Sequence, residues 1–183
     1  MNKIQNTKVQ SETKVHAGHA NPMRKIVMEK VVLSVGGSGE NLEKGFKLLK
    51  LLTGRNPAKI MSTKRIPSLG VRPKLEVGAV VTMRKNLQDF LKKMLTAADN
   101  TLKKSQISEN SFSFGVKEYI EIPGIEYQRD IGIRGLDVTV TFQRAGRRVK
   151  LKKTKTGRVP KRQHVSKEEI IKFMGENFKT KFV

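Results

Sequence analysis

From Ile26 to Val35 the chain reads IVMEKVVLSV, β-branched and apolar with few polar breaks. That composition predicts a strand buried along most of its length. The following GGSGE enforces a turn, after which the apolar positions move to helical spacing: Leu42, Phe46, Leu49 and Leu52 share one stripe. Asn41 is placed to cap this helix, Glu43 lies in its first turn and Gly54 stands where it should stop. PAKIM (57–61) predicts a short strand, and EVGAVVTMR (76–84) a longer one in which Val77, Ala79 and Val81 alternate with Gly78, Val80 and Thr82. A second helix is expected from Asn86 as cap, with Asp89 three residues on and Leu87, Phe90, Leu91, Met94, Leu95, Ala98 and Leu102 at spacings of three and four. Its stripe predicts the longest helix. SFSFGVKEYIEI and GLDVTVTFQR supply further strands, the second alternating through Val138, Val140 and Phe142, with PGIEYQRDIGIRG as the loop between them. The last helix starts with a capping-box pattern, Ser166 with Glu169, and carries Ile170, Met174 and Phe178 on one stripe.

The order β-α-β-β-α-β-β-α predicts an α+β fold, an antiparallel sheet with helices packed against one face, as a single domain over residues 23–183. Residues 1–22 are polar and end at Asn21-Pro22. They bury too little apolar surface to offset ordering, so a flexible arm is expected there. The RNA-recognition-motif plan, βαββαβ with aromatics on the sheet, is the structural rival. Phe112, Phe114 and Gly115 touch its signature but lack the preceding basic-Gly pair, and at alternate strand positions the two rings are expected to face a core.

Charge narrows the class of partner. Lys and Arg number 38 against 16 Asp and Glu in 183 residues, a formal net charge of +22. Self-repulsion on that scale opposes compaction unless a polyanion neutralises it, and nucleic acid is the expected one. No apolar run approaches the roughly 18 residues that span a bilayer, and the N-terminus lacks the apolar stretch of a secretory signal, so a soluble cytoplasmic protein with no membrane partner is expected. Cysteine is absent, which excludes disulfides, thiolate metal sites and a cysteine nucleophile.

The strongest local signal is RAGRRVKLKKTKTGRVPKR, residues 144–162, with ten basic residues (Arg144, Arg147, Arg148, Lys150, Lys152, Lys153, Lys155, Arg158, Lys161 and Arg162) and no acidic one. Cations that neutralise phosphates release condensed counterions, so each contact adds affinity without reading a base. Arg24 and Lys25 are further candidates for backbone contact. The loop STKRIPSLGVRPKLEVG (62–78) carries Lys64, Arg65, Arg72 and Lys74, stiffened by Pro67 and Pro73, with Leu69 and Val71 free to rest on sugar or base faces. A partner-contacting loop and an ordinary surface loop both fit these residues. GGSGE places glycines before a helix, as a phosphate cradle does, but no Lys-Ser/Thr follows at P-loop spacing and only two glycines of the dinucleotide fingerprint match. A turn beside RNA phosphate is the expectation there. His16, His19 and His164 form no metal-ligand spacing, and Glu118, Glu121, Glu126, Asp130 and Asp137 mark no acid/base pair, so they are read as partners for Arg and Lys. No enzyme activity, cofactor or metal is expected.

Five collinear segments carry a resemblance: NPMRKIVMEKVVLSVGGSGE; LLTGRNPAKIMSTKRIPSLGVR; VGAVVTMR; FSFGVKEYIEIPGIEY with IGIRGLDVTVTFQRAG; and HVSKEEIIKFMGENF. Over residues 21–183 the chain resembles the universal large-subunit ribosomal protein five family in its archaeal and eukaryotic form. The resemblance implies a structural protein of the large subunit's central protuberance, in contact with 5S rRNA, adjacent large-subunit rRNA and neighbouring ribosomal proteins. It implies that the loop 62–75, with Lys64, Arg65, Pro67, Leu69, Arg72 and Lys74, reaches toward the peptidyl-site tRNA. It also implies that 5S rRNA recognition centres on the positions of Ser34, Arg55 and Thr82. Of these only Thr82 keeps the family residue. Ser34 stands for an Asn and Arg55 for a Gln, which exchanges an amide for a hydroxyl and a neutral group for five donors and a charge, suited to phosphate in place of a base. A free-standing RNA chaperone or regulatory RNA-binding module is the alternative, and a nucleotide-using enzyme a distant third.

Overall fold

Ten residues from Val27 to Gly36 form β1, the spine of a six-stranded sheet. The computed structural model describes residues 21–183, so the arm expected over 1–22, with His16 and His19, falls almost wholly outside the described residues. Along the chain β1 is followed by α1 (Glu40–Thr53), β2 (Ala58–Met61), β3 (Glu76–Met83) and α2 (Leu87–Thr96). Then come β4 (Thr101–Leu102), β5 (Ile107–Ser108), β6 (Ser111–Val116) and β7 (Leu136–Gln143). The chain closes with α3 (Arg148–Leu151), α4 (Lys167–Phe178) and β8 (Lys181–Phe182). The sheet order is β2-β3-β1-β7-β6-β5, with every neighbouring pair antiparallel. β4 and β8 make a separate parallel pair. The α+β class and the one-sided helix layer are those the alternating pattern predicts.

Strand periodicity sorts the side chains. Val31, Leu33 and Val35 of β1, Ala79 and Val81 of β3, and Val138, Val140 and Phe142 of β7 are all buried under the helices. Leu42, Leu48 and Leu49 of α1, Leu91, Met94 and Leu95 of α2, and Ile170 and Met174 of α4 close the layer from above. Phe112 and Phe114 face this core as expected, with Phe112 stacked on both Phe114 and Phe142 at ring-centroid distances of 5.9 and 5.8 Å. A sheet with its aromatics turned inward has no stacking platform of the RNA-recognition-motif kind. β1 departs from its expectation: only one of its faces is buried, and the apolar run IVMEKVVLSV conceals a period of two.

Local rules failed where a distant residue or the chain's own turn took over. Asn41 does not cap α1; Gly39 precedes the helix, and the Asn41 side chain instead accepts 2.7 Å from Arg134 Nη2. Asn86 precedes α2 in the left-handed conformation without a side-chain cap. α2 is 10 residues long against 14 for α1, because the chain turns at Ala97–Asn100, with Asp99 and Asn100 at positive φ, and sends Leu102 into β4. The strand expected over SFSFGVKEYIEI ends at Val116, and Tyr119–Glu121 is a turn of 3-10 helix. Gly54 does end α1, at φ 65, and Ser166 and Glu169 do form the reciprocal capping box.

Candidate nucleic-acid interface

Because the helices cover one face of the sheet, the other is left open. In the β1–β3 register Val32 lies opposite Thr82 and Ser34 opposite Val80. Ser34 and Thr82 are therefore diagonal neighbours on the open face, about 7–8 Å apart at Cβ. Neither hydroxyl has a hydrogen-bond partner among the described residues. Arg55, exposed in the connection after α1, reaches the same place: its Nη1 donates to the Thr82 carbonyl at 3.3 Å. The fold thus gathers the three positions Ser34, Arg55 and Thr82, which are 48 residues apart at the extremes, into one patch.

Hydroxyls extend the patch across the sheet. Thr139 and Thr141 of β7 are in register with Val32 and Lys30, and Ser113 and Ser111 of β6 with Thr139 and Thr141. These four were not singled out from the sequence, although the alternation that put Val138 and Val140 inside necessarily put Thr139 and Thr141 outside. Asp137, exposed and in register with Ser34, places a carboxylate at this end of the row. It repels a phosphate and accepts from a ribose hydroxyl or base amine, so the chemistry near Ser34 suits sugar or base edges more than backbone phosphate.

The loop between β2 and β3 is a built projection. Ser62 N–H donates to the Leu75 carbonyl at 2.8 Å and Lys74 N–H back to Ser62 at 2.8 Å, continuing the hairpin beyond the sheet. Farther out, Ile66 and Val71 exchange backbone bonds of 2.9 and 3.0 Å around a tip at Pro67–Leu69. Gly70 closes the tip at φ 64, a conformation that only glycine adopts without strain. Lys64, Arg65, Arg72 and Lys74 are exposed with no carboxylate within ion-pair reach among the described residues, and Leu69 at the tip is 73% exposed. At the hairpin's base, Lys59 Nζ and Glu76 Oε2 meet at 2.7 Å, and the carboxylate holds the ammonium above its ordinary range.

The run 144–162 is less uniform than its composition. Arg144 is tied to Glu169 at 2.6 Å with a side chain only 10% exposed, and Arg147 to Glu29 at 2.8 Å. The absence of acids within the run is thus offset by acids brought from β1 and α4. Arg148, Lys150, Lys152, Lys153, Lys155, Arg158, Lys161 and Arg162 remain exposed and unpaired with any described carboxylate, as do Arg24 and Lys25 near the start of β1.

Two expectations change on this geometry. The GGSGE turn spends its amides internally: Gly37 N–H donates to Val77 and the Leu42 and Glu43 N–H groups to Gly39. Arg134 fills the space beside it, donating 2.6 Å to the Asn41 carbonyl, while Glu40 and Glu43 add negative charge. A phosphate is disfavoured there. Glu118, Glu121, Glu126, Asp130 and Asp137 make no ion pair with any described residue; the acids that pair are Glu29, Glu76, Glu109 and Glu169. The hydrogen-bonded pairs join residues 17, 25 and 118 positions apart, a matter of tertiary placement that no spacing announces. Among the described residues no group of acids and histidines is arranged to hold a metal ion, and no helix is long and apolar enough to cross a membrane.

Residues 76–173 match the family model for the C-terminal part of the ribosomal protein uL5 family. Over 159 residues the chain is 43% identical to large ribosomal subunit protein uL5 of Nanoarchaeum equitans, covering 85% of this chain and 94% of that protein. It is 41% identical over 168 residues to the protein of the same name from Sulfurisphaera tokodaii, covering 89% and 95%. Pyrobaculum aerophilum supplies another, 42% identical over 160 residues, covering 85% and 88%. With similarity at this level running through nearly the whole of each partner, the chain belongs to the ribosomal protein uL5 family, structural proteins of the large ribosomal subunit and not enzymes.

Proposed function

We propose that the protein is the large-subunit component that binds 5S rRNA through the open face of its sheet, with Ser34, Arg55 and Thr82 as the recognition patch. The observation that carries this reading is the convergence of Arg55 on Thr82 beside the free Ser34 hydroxyl, on a face that the helices leave uncovered. Hydroxyls and Asp137 there address sugars and bases, and Arg55 addresses phosphate. The hairpin 62–75 contacts the peptidyl-site tRNA with Lys64, Arg65, Arg72 and Lys74, Pro67 and Leu69 shaping its tip. The exposed cations of 144–162, with Arg24 and Lys25, hold adjacent large-subunit rRNA by counterion release. Residues 23–183 act as one RNA-binding domain.

The test separates the surfaces. Changing Lys64, Arg65, Arg72 and Lys74 to Gln should leave 5S rRNA binding within about twofold, since those cations stand off the patch, while weakening tRNA crosslinking in assembled subunits. Loss of 5S rRNA binding in that variant would overturn the division of labour. Failure of the protein to co-sediment stoichiometrically with large subunits in high salt would favour an RNA chaperone acting outside the ribosome.

A further inference from the structure

A cleft of about 80 Å³ lies between the end of β7, the start of the basic run and the segment leading into α4, lined chiefly by Asn110, Gln143, Arg144, Arg147, Lys150 and Gln163. At about 30 Å³ of liquid per water it has room for two or three waters, which suits one phosphate group and is too small for a base with its ribose. Its donors are held in place by the fold. Arg144, nine-tenths buried, is fixed through Nη2 to Glu169 at 2.6 Å and through Nη1 to the Arg162 carbonyl at 3.2 Å. Arg147 is fixed through Nη1 to Glu29 at 2.8 Å. The Asn110 amide oxygen accepts from Val165 N–H at 2.8 Å, which leaves its NH₂ group as a donor. Lys150, exposed and unpaired among the described residues, stands at the rim.

One buried donor here is left over: Arg144 Nε has no partner among the described residues. An unmet buried donor of a charged group is costly, and native proteins rarely keep one without a partner to come. We infer that this cleft is a built phosphate site that takes a single backbone phosphate of rRNA, the anchor from which the rest of the basic run is laid along the strand. A small Arg144 adjustment turns Nε toward the anion while Lys150 closes over it, and the three amides orient its oxygens. The inference rests on the reading of 144–162 as an rRNA-binding segment and adds to it one discrete pocket among otherwise diffuse contacts.

The test has two arms. In full-length ¹⁵N-labelled protein at constant ionic strength, inorganic phosphate should shift the Arg144 Nε–Hε resonance saturably and more than those of exposed Arg158 and Arg162, and Lys150→Gln or Gln163→Ala should weaken that binding by about fivefold. In the second arm, binding to deproteinised large-subunit rRNA should fall about tenfold in the Lys150→Gln/Gln163→Ala double variant, against about threefold for Lys153→Gln, which removes the same charge outside the cleft. An unmoved Arg144 resonance, or equal losses inside and outside the cleft, would overturn the site while leaving the charge-driven rRNA reading intact. A saturable phosphate shift in a protein that binds no rRNA would overturn the rRNA source and point to free phosphate. Neither substitution removes a buried group, so the fold is retained in both.

Discussion

The hairpin 62–75 and the run 144–162 are both basic, acid-poor and exposed, yet the fold supports them in different ways. The hairpin holds its shape by backbone bonds at Ser62–Leu75 and Ile66–Val71 and leaves all four of its cations free. The run has almost no regular structure beyond the four residues of α3, and it is moored by two arginine side chains, Arg144 on Glu169 and Arg147 on Glu29. A charge run therefore mixes cations that hold the protein together with cations available to a partner. The hairpin presents a rigid point; the run presents a moored, adaptable strap.

That contrast is most sharply tested by charge removal. Replacing the eight unpaired cations of 144–162 by Gln should lower affinity for large-subunit rRNA by about a thousandfold and flatten the log-log salt slope by up to roughly 7, at about 0.9 per phosphate contact, with little change in Tm. A large fall in Tm would show that these cations belong to the fold. Arg144→Gln should do the reverse: a loss of about 2 kcal/mol in urea denaturation, because a nearly buried charged hydrogen bond is broken and Glu169 is left alone. Stability unchanged in that variant would remove the mooring.

On the hairpin side, Gly70→Val should cost about 1–2 kcal/mol locally at φ 64, seen as faster hydrogen exchange at the Ile66 and Val71 amides, with global unfolding untouched. Persistent protection there would mean that the tip does not depend on glycine. The smallest effect is expected at the hairpin's base. Glu76→Gln should lower the Lys59 pKa toward its ordinary value in NMR titration with no resolvable change in Tm. The sign follows from the raised value: the pair's contribution is fully present at neutral pH and is lost as pH climbs through the raised Lys59 value. A Lys59 titration unaltered by the substitution would contradict the pairing.

Much of the architecture was legible because it is local. The alternation of Val138, Val140 and Phe142, the capping box of Ser166 and Glu169, and Gly54 at the end of α1 are each contained in a few residues, and each stands in the structure as the pattern implies. What failed involved partners far along the chain. Asn41 gave its side chain to Arg134, 93 residues away, and the acids that moor the basic run lie on β1 and α4. The proposed site divides the same way. The free cations of the hairpin could be read from composition, whereas the meeting of Ser34, Arg55 and Thr82 depends on the β1–β3 register, and those positions were singled out by resemblance, not by their chemistry. The hydroxyl row of Thr139, Thr141, Ser111 and Ser113 was written in the same alternation as the core and went unread because attention fell on its apolar half.

The most direct measurement of the central claim is a 5S rRNA binding titration across a salt series, with tRNA and an unrelated structured RNA as competitors, for the protein and its Thr82→Ala and Arg55→Gln variants. The account predicts 5S-selective binding that Thr82→Ala weakens by about tenfold at every salt concentration, with Arg55→Gln lowering the salt slope by about one contact. Equal affinity for all three RNAs, with neither substitution altering it, would contradict the account and leave charge alone as the source of binding.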